Sequence, residues 1–189
     1  MTRVYLCTEE EFADFSLFPR QIEAEFSRIT NAALRAQKRA AYALLRYALG
    51  REKLQSFSKN SCGKPTVQGA EISISHTHGL AAIAVSDHAV GVDAEKLSGR
   101  TLKDFSFMLA DGERAENIRE ALVLWTKKEA VFKRAGNKRR FLPDEIRVED
   151  HQTKTYFLNA NGEEYILSLA ARLESGLELI PIGNITVIE

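Results

Sequence analysis

The chain has 189 residues, 44% of them hydrophobic and 28% charged, a composition typical of an ordinary soluble globular protein with a sizeable core. Its 26 basic and 26 acidic residues give a formal net charge of zero, which excludes a global electrostatic field that would draw it to nucleic acid or to a membrane surface. The sequence contains no signal-peptide segment and no bilayer-length apolar run, and its two cysteines match no metal-ligand spacing, so we expect a cytoplasmic protein with reduced thiols.

The first third of the chain is predicted to form a strand, a short helix and a long helix. The strand covers residues 3–7, and a capping-box pattern at its end predicts a short helix over 8–15. Asn31 is expected to cap a long helix over 32–49, rich in Ala, Leu, Arg and Lys, which Gly50 would end.

One face of this long helix carries a group of basic side chains. Spacings of three and four residues bring them close enough to bind one anion, although a solvated basic face is the simpler interpretation. The group consists of Arg35, Lys38 and Arg39.

Residues 72–95 are predicted to form three short strands joined by tight turns. The last strand has period two, so Gly91, Asp93 and Glu95 lie on one face. Two carboxylates with a glycine clearing space beside them suit Mg²⁺, which proteins often hold with one or two carboxylates and substrate phosphates. Taken alone, the pair is more simply a solvated strand end, and His76 is more simply a turn or core histidine.

The second half is predicted to repeat the organisation of the first. Its clearest helix covers 122–135 and places Glu129 and Lys133 one turn apart, where a surface ion pair is the simple explanation. Strand-like runs follow that helix. Each half thus carries a long helix and several short antiparallel strands, which indicates two similar lobes, 1–97 and 98–189.

Four motifs, taken together and in order, resemble those of the 4′-phosphopantetheinyl transferase family. They are GKP at 63–65, ISHT at 74–77, VGVDAE at 90–95 and WTKKEAVFK at 125–133. Each motif alone is weak, but four in order, each with its chemical residues, are specific. They are most similar to the surfactin-synthetase-activating type, in which one chain forms both lobes. Outside residues 63–133 the similarity is only one of general character.

The resemblance implies an α+β fold of two pseudo-symmetric lobes, each with a long helix packed on a small antiparallel sheet, and an active site in the cleft between them. It implies an enzyme that moves phosphopantetheine from coenzyme A to a serine of an apo acyl or peptidyl carrier protein, with release of 3′,5′-ADP. The cofactor would be Mg²⁺, with Mn²⁺ as an alternative. We expect a monomer that binds neither nucleic acid nor membranes.

The resemblance also assigns roles to individual residues. The metal ligands would be Asp93, Glu95 and Glu129. The catalytic residues would be Glu129, Lys133 and His76. The coenzyme A contacts would be Lys64, Pro65, Ser75, His76, Lys128 and Lys133. Independently of the resemblance, the basic face of the 32–49 helix, Arg35, Lys38 and Arg39, is expected to hold the 3′-phosphate. Glu129 would take the proton of the serine, directly or through a metal-bound water, and Lys133 would neutralise or protonate the departing phosphate. The departures from the family pattern, Ala94 and Thr77, remove no reacting group.

Two alternatives stay open at this point. The first is a non-catalytic module that binds coenzyme A or a carrier protein, although binding alone would not require three carboxylates and Lys133. The second is a holo-acyl-carrier-protein synthase of fatty-acid synthesis, although that branch has shorter chains that assemble as trimers.

The basic loop after the 122–135 helix is predicted to help dock the acidic helix of a carrier protein. A solvated loop that caps the helix end explains it equally well. The loop consists of Lys138, Arg139 and Arg140.

Overall fold

The computed structural model describes residues 1–12, 18–137 and 140–188. The α-helices in these ranges are α1 (Arg20–Ser27), α2 (Ala32–Leu54) and α3 (Ile118–Arg134). The strands are β1 (Thr2–Thr8), β2 (Ser58–Lys59), β3 (Pro65–Thr66), β4 (Glu71–Thr77), β5 (Leu80–Ser86), β6 (Gly91–Lys96), β7 (Thr153–Ala160), β8 (Glu163–Ala170), β9 (Leu177–Ile182) and β10 (Ile185–Ile188). None of the helices within the described ranges combines the length and the apolar character needed to span a membrane.

The ends of the two long helices follow local capping chemistry. Asn31 caps α2 as predicted, because its side chain accepts a hydrogen bond from the Leu34 amide at 3.0 Å. Gly50 interrupts α2 instead of ending it: its φ of 77° is not helical, yet the chain resumes helical geometry as far as Leu54. α3 begins earlier than predicted, because Asn117 caps its first turn by accepting from the Glu120 amide.

Each half of the chain repeats the order strand, helix, hairpin. In the first half β1 precedes α2, and β5 of the hairpin β4–β5 pairs antiparallel with β1. In the second half β6 precedes α3, and β8 of the hairpin β7–β8 pairs antiparallel with β6. β9 and β10 extend the sheets to the orders β4-β5-β1-β9 and β10-β7-β8-β6. The predicted α+β fold of two pseudo-symmetric halves, each with a long helix on a small sheet, is confirmed.

One strand pair departs from the expectation of antiparallel sheets. β9 runs parallel to β1, with Thr2 opposite Leu177 and Cys7 opposite Ile182. Parallel pairing needs a long connection between the strands, and most of the chain lies between these two.

Strand pairing crosses the predicted division of the chain at residue 97. β6 lies before this residue but pairs with β8, whereas β9 lies after it but pairs with β1. A cut at residue 97 would therefore take one strand from each sheet. The division into 1–97 and 98–189 stays a prediction.

The helices and sheets stack in the order α2, first sheet, second sheet, α3. The central core lies between the two sheets, where Leu6 of β1 and Val92 of β6 belong to one buried cluster. Leu44 of α2 packs with Ile83 on the outer face of the first sheet. Leu122 of α3 packs on the outer face of the second sheet. Each sheet is thus buried on both faces, and β4 and β6 are the edge strands at which the sheets adjoin.

Candidate functional site

The site is built where β6 passes under α3. Val92 and Ala94 point into the central core, so the period of two turns Gly91, Asp93 and Glu95 towards α3, on one face as predicted. The glycine does not clear space for a ligand, because a Cβ at Gly91 would overlap the main-chain oxygen of Ala130. Helix α3 occupies that space, and this close approach brings the side chains of its last two turns against Asp93.

Asp93 is the centre of the arrangement and is only 3% exposed. Its Oδ1 accepts hydrogen bonds from Ser75 Oγ at 2.8 Å and from Lys133 Nζ at 2.6 Å. Its Oδ2 is buried and has no hydrogen-bond partner among the described residues. The simpler interpretation of a solvated strand end therefore does not hold for Asp93, because α3 and β4 cover this strand from both sides.

Lys133 and Glu129 extend the cluster from α3. Lys133 Nζ lies 3.5 Å from Glu129 Oε2 and 3.4 Å from Ser75 Oγ, so the ammonium sits between two carboxylates. Burial alone would lower the pKa of Lys133, but the charges of Asp93 and Glu129 outweigh burial and raise it. Burial raises the pKa of Glu129 to about 7, and the nearby charge of Asp93 acts in the same direction.

Glu95, the third predicted metal ligand, has its own partners. Its Oε2 accepts from Arg100 Nη2 at 2.9 Å and from Thr77 Oγ1 at 3.4 Å. Burial, followed by repulsion from Asp93, raises its pKa. Among the residues that the structure describes, no three His, Cys, Asp or Glu side chains converge on one point as metal ligands would. Asp93, Glu95 and Glu129 are thus each engaged by a basic side chain, Lys133 for Asp93 and Glu129 and Arg100 for Glu95.

Hydroxyl groups of β4 join the two sheets beside this cluster, and the sequence analysis missed their role. Ser73 Oγ accepts from the Val92 amide at 3.0 Å, and Ser75 Oγ accepts from the Ala94 amide at 3.1 Å. These side chains replace the main-chain ladder that would otherwise satisfy the edge of β6. Alternation of serine and isoleucine is typical of a half-buried strand with one polar face, yet Ser73 is only 2% exposed. The alternating hydroxyls were the signal that could have identified the junction.

His76 lies next to the cluster, on the side of α2. Its imidazole is half-buried, and its Nδ1 has no hydrogen-bond partner in the described part of the chain. Burial, together with the charges of Lys38 and Lys133, lowers the pKa of His76 to about 4, and the opposing charge of Asp93 is the smallest of these effects. The imidazole is therefore neutral at pH 7, and Lys38 is the member of the basic helix group that lies within electrostatic reach of it.

The GKP motif packs against the start of β6. Lys64 is buried, and its Nζ donates to the main-chain oxygen of Val90 at 3.4 Å and lies 3.6 Å from Glu71 Oε2. Asn60 Oδ1 accepts from the main-chain amide of Lys64 at 2.9 Å, which fixes the turn. Pro65 begins the short strand β3, opposite Lys59.

Two of the predicted coenzyme A contacts are not brought to the cluster. Lys128 is fully buried, and its Nζ contacts Glu113 Oε2 at 2.5 Å and the main-chain oxygens of Met108 and Pro143 at 2.9 and 2.8 Å. Protein atoms surround this ammonium, so Lys128 forms a structural ion pair in this structure, and its assignment as a coenzyme A contact stays a prediction.

Arg39 is the other residue that points elsewhere. Its guanidinium stacks on the rings of Phe18 and Phe26, 5.4 and 5.2 Å from their centroids, and reaches Glu23 at 4.0 Å. Arg35, on the same helix, is half-buried. Arg39 thus contacts the α1 side of the fold, and the assignment of Arg35, Lys38 and Arg39 to the 3′-phosphate stays a prediction.

The basic loop after α3 falls largely outside the described residues. Lys138 and Arg139 lie outside them, and Arg140 is exposed at the edge of the range that follows. The prediction that this loop docks a carrier protein stays a prediction.

Comparisons with known proteins agree with the four motifs. Residues 89–178 match the family model of the 4′-phosphopantetheinyl transferase superfamily. The chain is 29% identical over 130 residues to the 4′-phosphopantetheinyl transferase gsp of Aneurinibacillus migulanus, a match that covers 64% of this chain. The chain spans about half of that relative, since the match covers 54% of its length. The range that matches the family model begins just before β6 and includes Asp93, Glu129 and Lys133. The resemblance of this chain to the 4′-phosphopantetheinyl transferase superfamily is therefore confirmed.

Proposed function

We propose that the protein is a 4′-phosphopantetheinyl transferase, which moves phosphopantetheine from coenzyme A to a serine of an apo acyl or peptidyl carrier protein and releases 3′,5′-ADP. The observation that carries the proposal is the meeting of Asp93, Glu129 and Lys133 at the junction of the two sheets, built from two of the four family-like motifs. The superfamily match over residues 89–178 and the activity in the name of the relative support it.

The reaction needs a base and a cation, and the cluster offers both. The serine oxygen of the carrier forms a bond to the phosphorus that carries pantetheine, and the bond from this phosphorus to the bridging oxygen of 3′,5′-ADP breaks. Glu129, whose pKa is raised to about 7, is suited to accept the serine proton near neutral pH. Lys133, whose pKa is raised, stays charged and neutralises the phosphate oxygens of the leaving group.

The residues present fit a magnesium ion, with manganese as the alternative. All three proposed ligands, Asp93, Glu95 and Glu129, are carboxylates, which hard divalent cations prefer. Asp93 Oδ2 is a buried acceptor without a partner in the described part of the chain, and such an atom is costly unless a ligand satisfies it. A divalent cation bound there would neutralise the pyrophosphate of coenzyme A.

Coenzyme A is proposed to bind along β4 and the GKP turn. Ser75 and His76 border the cluster, and Lys38 adds a positive charge on the same side. Because His76 is neutral at pH 7, its role is to hydrogen-bond to coenzyme A and not to supply charge. Lys64 and Pro65 stay proposed contacts at the start of β6.

We further propose that the protein acts as a monomer in the cytoplasm, on carrier proteins and not on nucleic acid or membranes. The zero net charge supports the absence of a polyanionic partner. Whether the protein serves fatty-acid synthesis, as a holo-acyl-carrier-protein synthase does, is tested with carriers of each kind.

The test is mass spectrometry of apo carrier proteins from fatty-acid, polyketide and nonribosomal-peptide systems, each incubated with the protein, coenzyme A and Mg²⁺. We expect the mass of one phosphopantetheine to be gained by at least one carrier, and no gain when EDTA is present. If no carrier gains mass while calorimetry shows that coenzyme A binds, the protein is a coenzyme A-binding module and the proposed function is wrong.

A further inference from the structure

Lys133 lies between two of the carboxylates that are proposed as metal ligands. Its ammonium is 2.6 Å from Asp93 Oδ1 and 3.5 Å from Glu129 Oε2. Arg100 engages the remaining carboxylate, Glu95, at 2.9 Å. Two side-chain cations, Lys133 and Arg100, thus neutralise the three carboxylates. Of these two, Lys133 is the one that contacts both a β6 carboxylate and an α3 carboxylate.

A second observation shows that this internal pairing leaves the cluster incomplete. Asp93 is 3% exposed, and its Oδ2 finds no donor among the described residues, although Oδ1 has two. A buried carboxylate oxygen without a donor is costly, because it has lost water and gained nothing in its place. Lys133 thus compensates the charge of Asp93 but satisfies only one of its two oxygens.

We propose that Lys133 is an internal counter-ion of the carboxylate cluster, and that it must leave its place between Asp93 and Glu129 when a divalent cation binds there. The inference rests on the metal-binding part of the proposed function, but not on transferase activity.

The displacement couples two binding events. An ammonium released from Asp93 is free to contact an anion, so a divalent cation and a pyrophosphate group should each strengthen the binding of the other. If Lys133 lacked its ammonium, the cluster would be more negative and would bind a divalent cation more tightly. Pyrophosphate would then strengthen cation binding less, because no released ammonium would contact it. Lys133 therefore weakens cation binding in the free protein, and it increases the gain in cation affinity that pyrophosphate produces.

The experiment measures Mn²⁺ binding by electron paramagnetic resonance, with and without inorganic pyrophosphate, for the wild type, Lys133→Met and the control Lys127→Met. Lys127 lies on the same helix, and no contact described for the cluster includes it. We expect Lys133→Met to lower the Kd for Mn²⁺ by about tenfold or more, because a charge-assisted contact no longer competes. Pyrophosphate should tighten Mn²⁺ binding less in this variant than in the wild type, and Lys127→Met should match the wild type. A Kd that is unchanged or higher in Lys133→Met would overturn the proposal.

A measurement on the wild type keeps the proposal testable if Lys133→Met does not fold. An amine-reactive acylating reagent is applied with and without Mn²⁺, and labelling of each lysine is followed by mass spectrometry. We expect Mn²⁺ to accelerate the labelling of Lys133 and to leave the labelling rate of Lys127 unchanged. An unchanged rate at Lys133 while Mn²⁺ binds would contradict displacement. Since neither measurement uses a carrier protein, failure of the proposed transfer activity would be seen separately.

Discussion

At the residue scale, Lys128 shows how a charge inside the protein can hold loops together. Its ammonium meets the Glu113 carboxylate and the main-chain oxygens of Met108 and Pro143, so two loops on either side of α3 share one cation. Removing one partner of a buried ion pair leaves the other uncompensated, which costs more than the pair itself contributes.

Lys128→Met is therefore expected to lower the free energy of unfolding by about 3–5 kcal/mol. Urea denaturation measures the change, with Lys127→Met as the matched control, for which we expect at most about 0.5 kcal/mol. The double variant with Glu113→Gln should cost less than the sum of the two single variants, because the pair is coupled. Equal stability of Lys128→Met and Lys127→Met would show that the buried contact contributes nothing.

At the element scale, the site depends on how closely α3 packs on β6. Gly91 allows this approach, since a side chain there would overlap the main chain of α3 at Ala130 and Arg134. The contact determines the distance from α3 to Asp93, and with it the 2.6 Å hydrogen bond from Lys133.

Gly91→Ala should destabilise the protein by about 3 kcal/mol or more, because two stretches of main chain would have to separate. The control is Gly99→Ala, because φ at Gly99 is 79° and a Cβ there would meet no atom within 4 Å. Only the unfavourable backbone conformation should then lower the free energy of unfolding, by about 1–2 kcal/mol. Chemical denaturation of both variants tests the difference. A loss in Gly91→Ala no larger than that in Gly99→Ala would mean that close packing of α3 on β6 does not matter.

At the scale of the whole molecule, the sequence predicted the features that depend on residues close together in the chain. The period of two in β6 placed Asp93 and Glu95 on one face, and Asn31 indicated the start of α2, because both depend only on neighbouring residues. The repeat of a long helix and short strands predicted two similar halves. Glu129 and Lys133 were linked to the β6 carboxylates through the resemblance.

Features that depend on contacts distant in the chain were not predicted. β6 pairs with β8, far along the sequence, so the exchange of strands across residue 97 left no local pattern. The burial of Ser73 depends on β6 lying against β4, and the burial of Lys128 depends on Glu113 and on two main-chain oxygens. A lysine within a family-like motif looks the same in the sequence whether it faces a ligand or the core.

The central claim is that the junction of β6 and α3 transfers phosphopantetheine, and Glu129 tests it most directly. The measurement is the rate of holo-carrier formation by Glu129→Gln, compared with Glu120→Gln, an exposed glutamate in the first turn of the same helix. The account predicts a loss in kcat of about 100-fold or more for Glu129→Gln, because an amide cannot accept the serine proton, and no measurable change for Glu120→Gln. Transfer by Glu129→Gln at the wild-type rate would contradict the account.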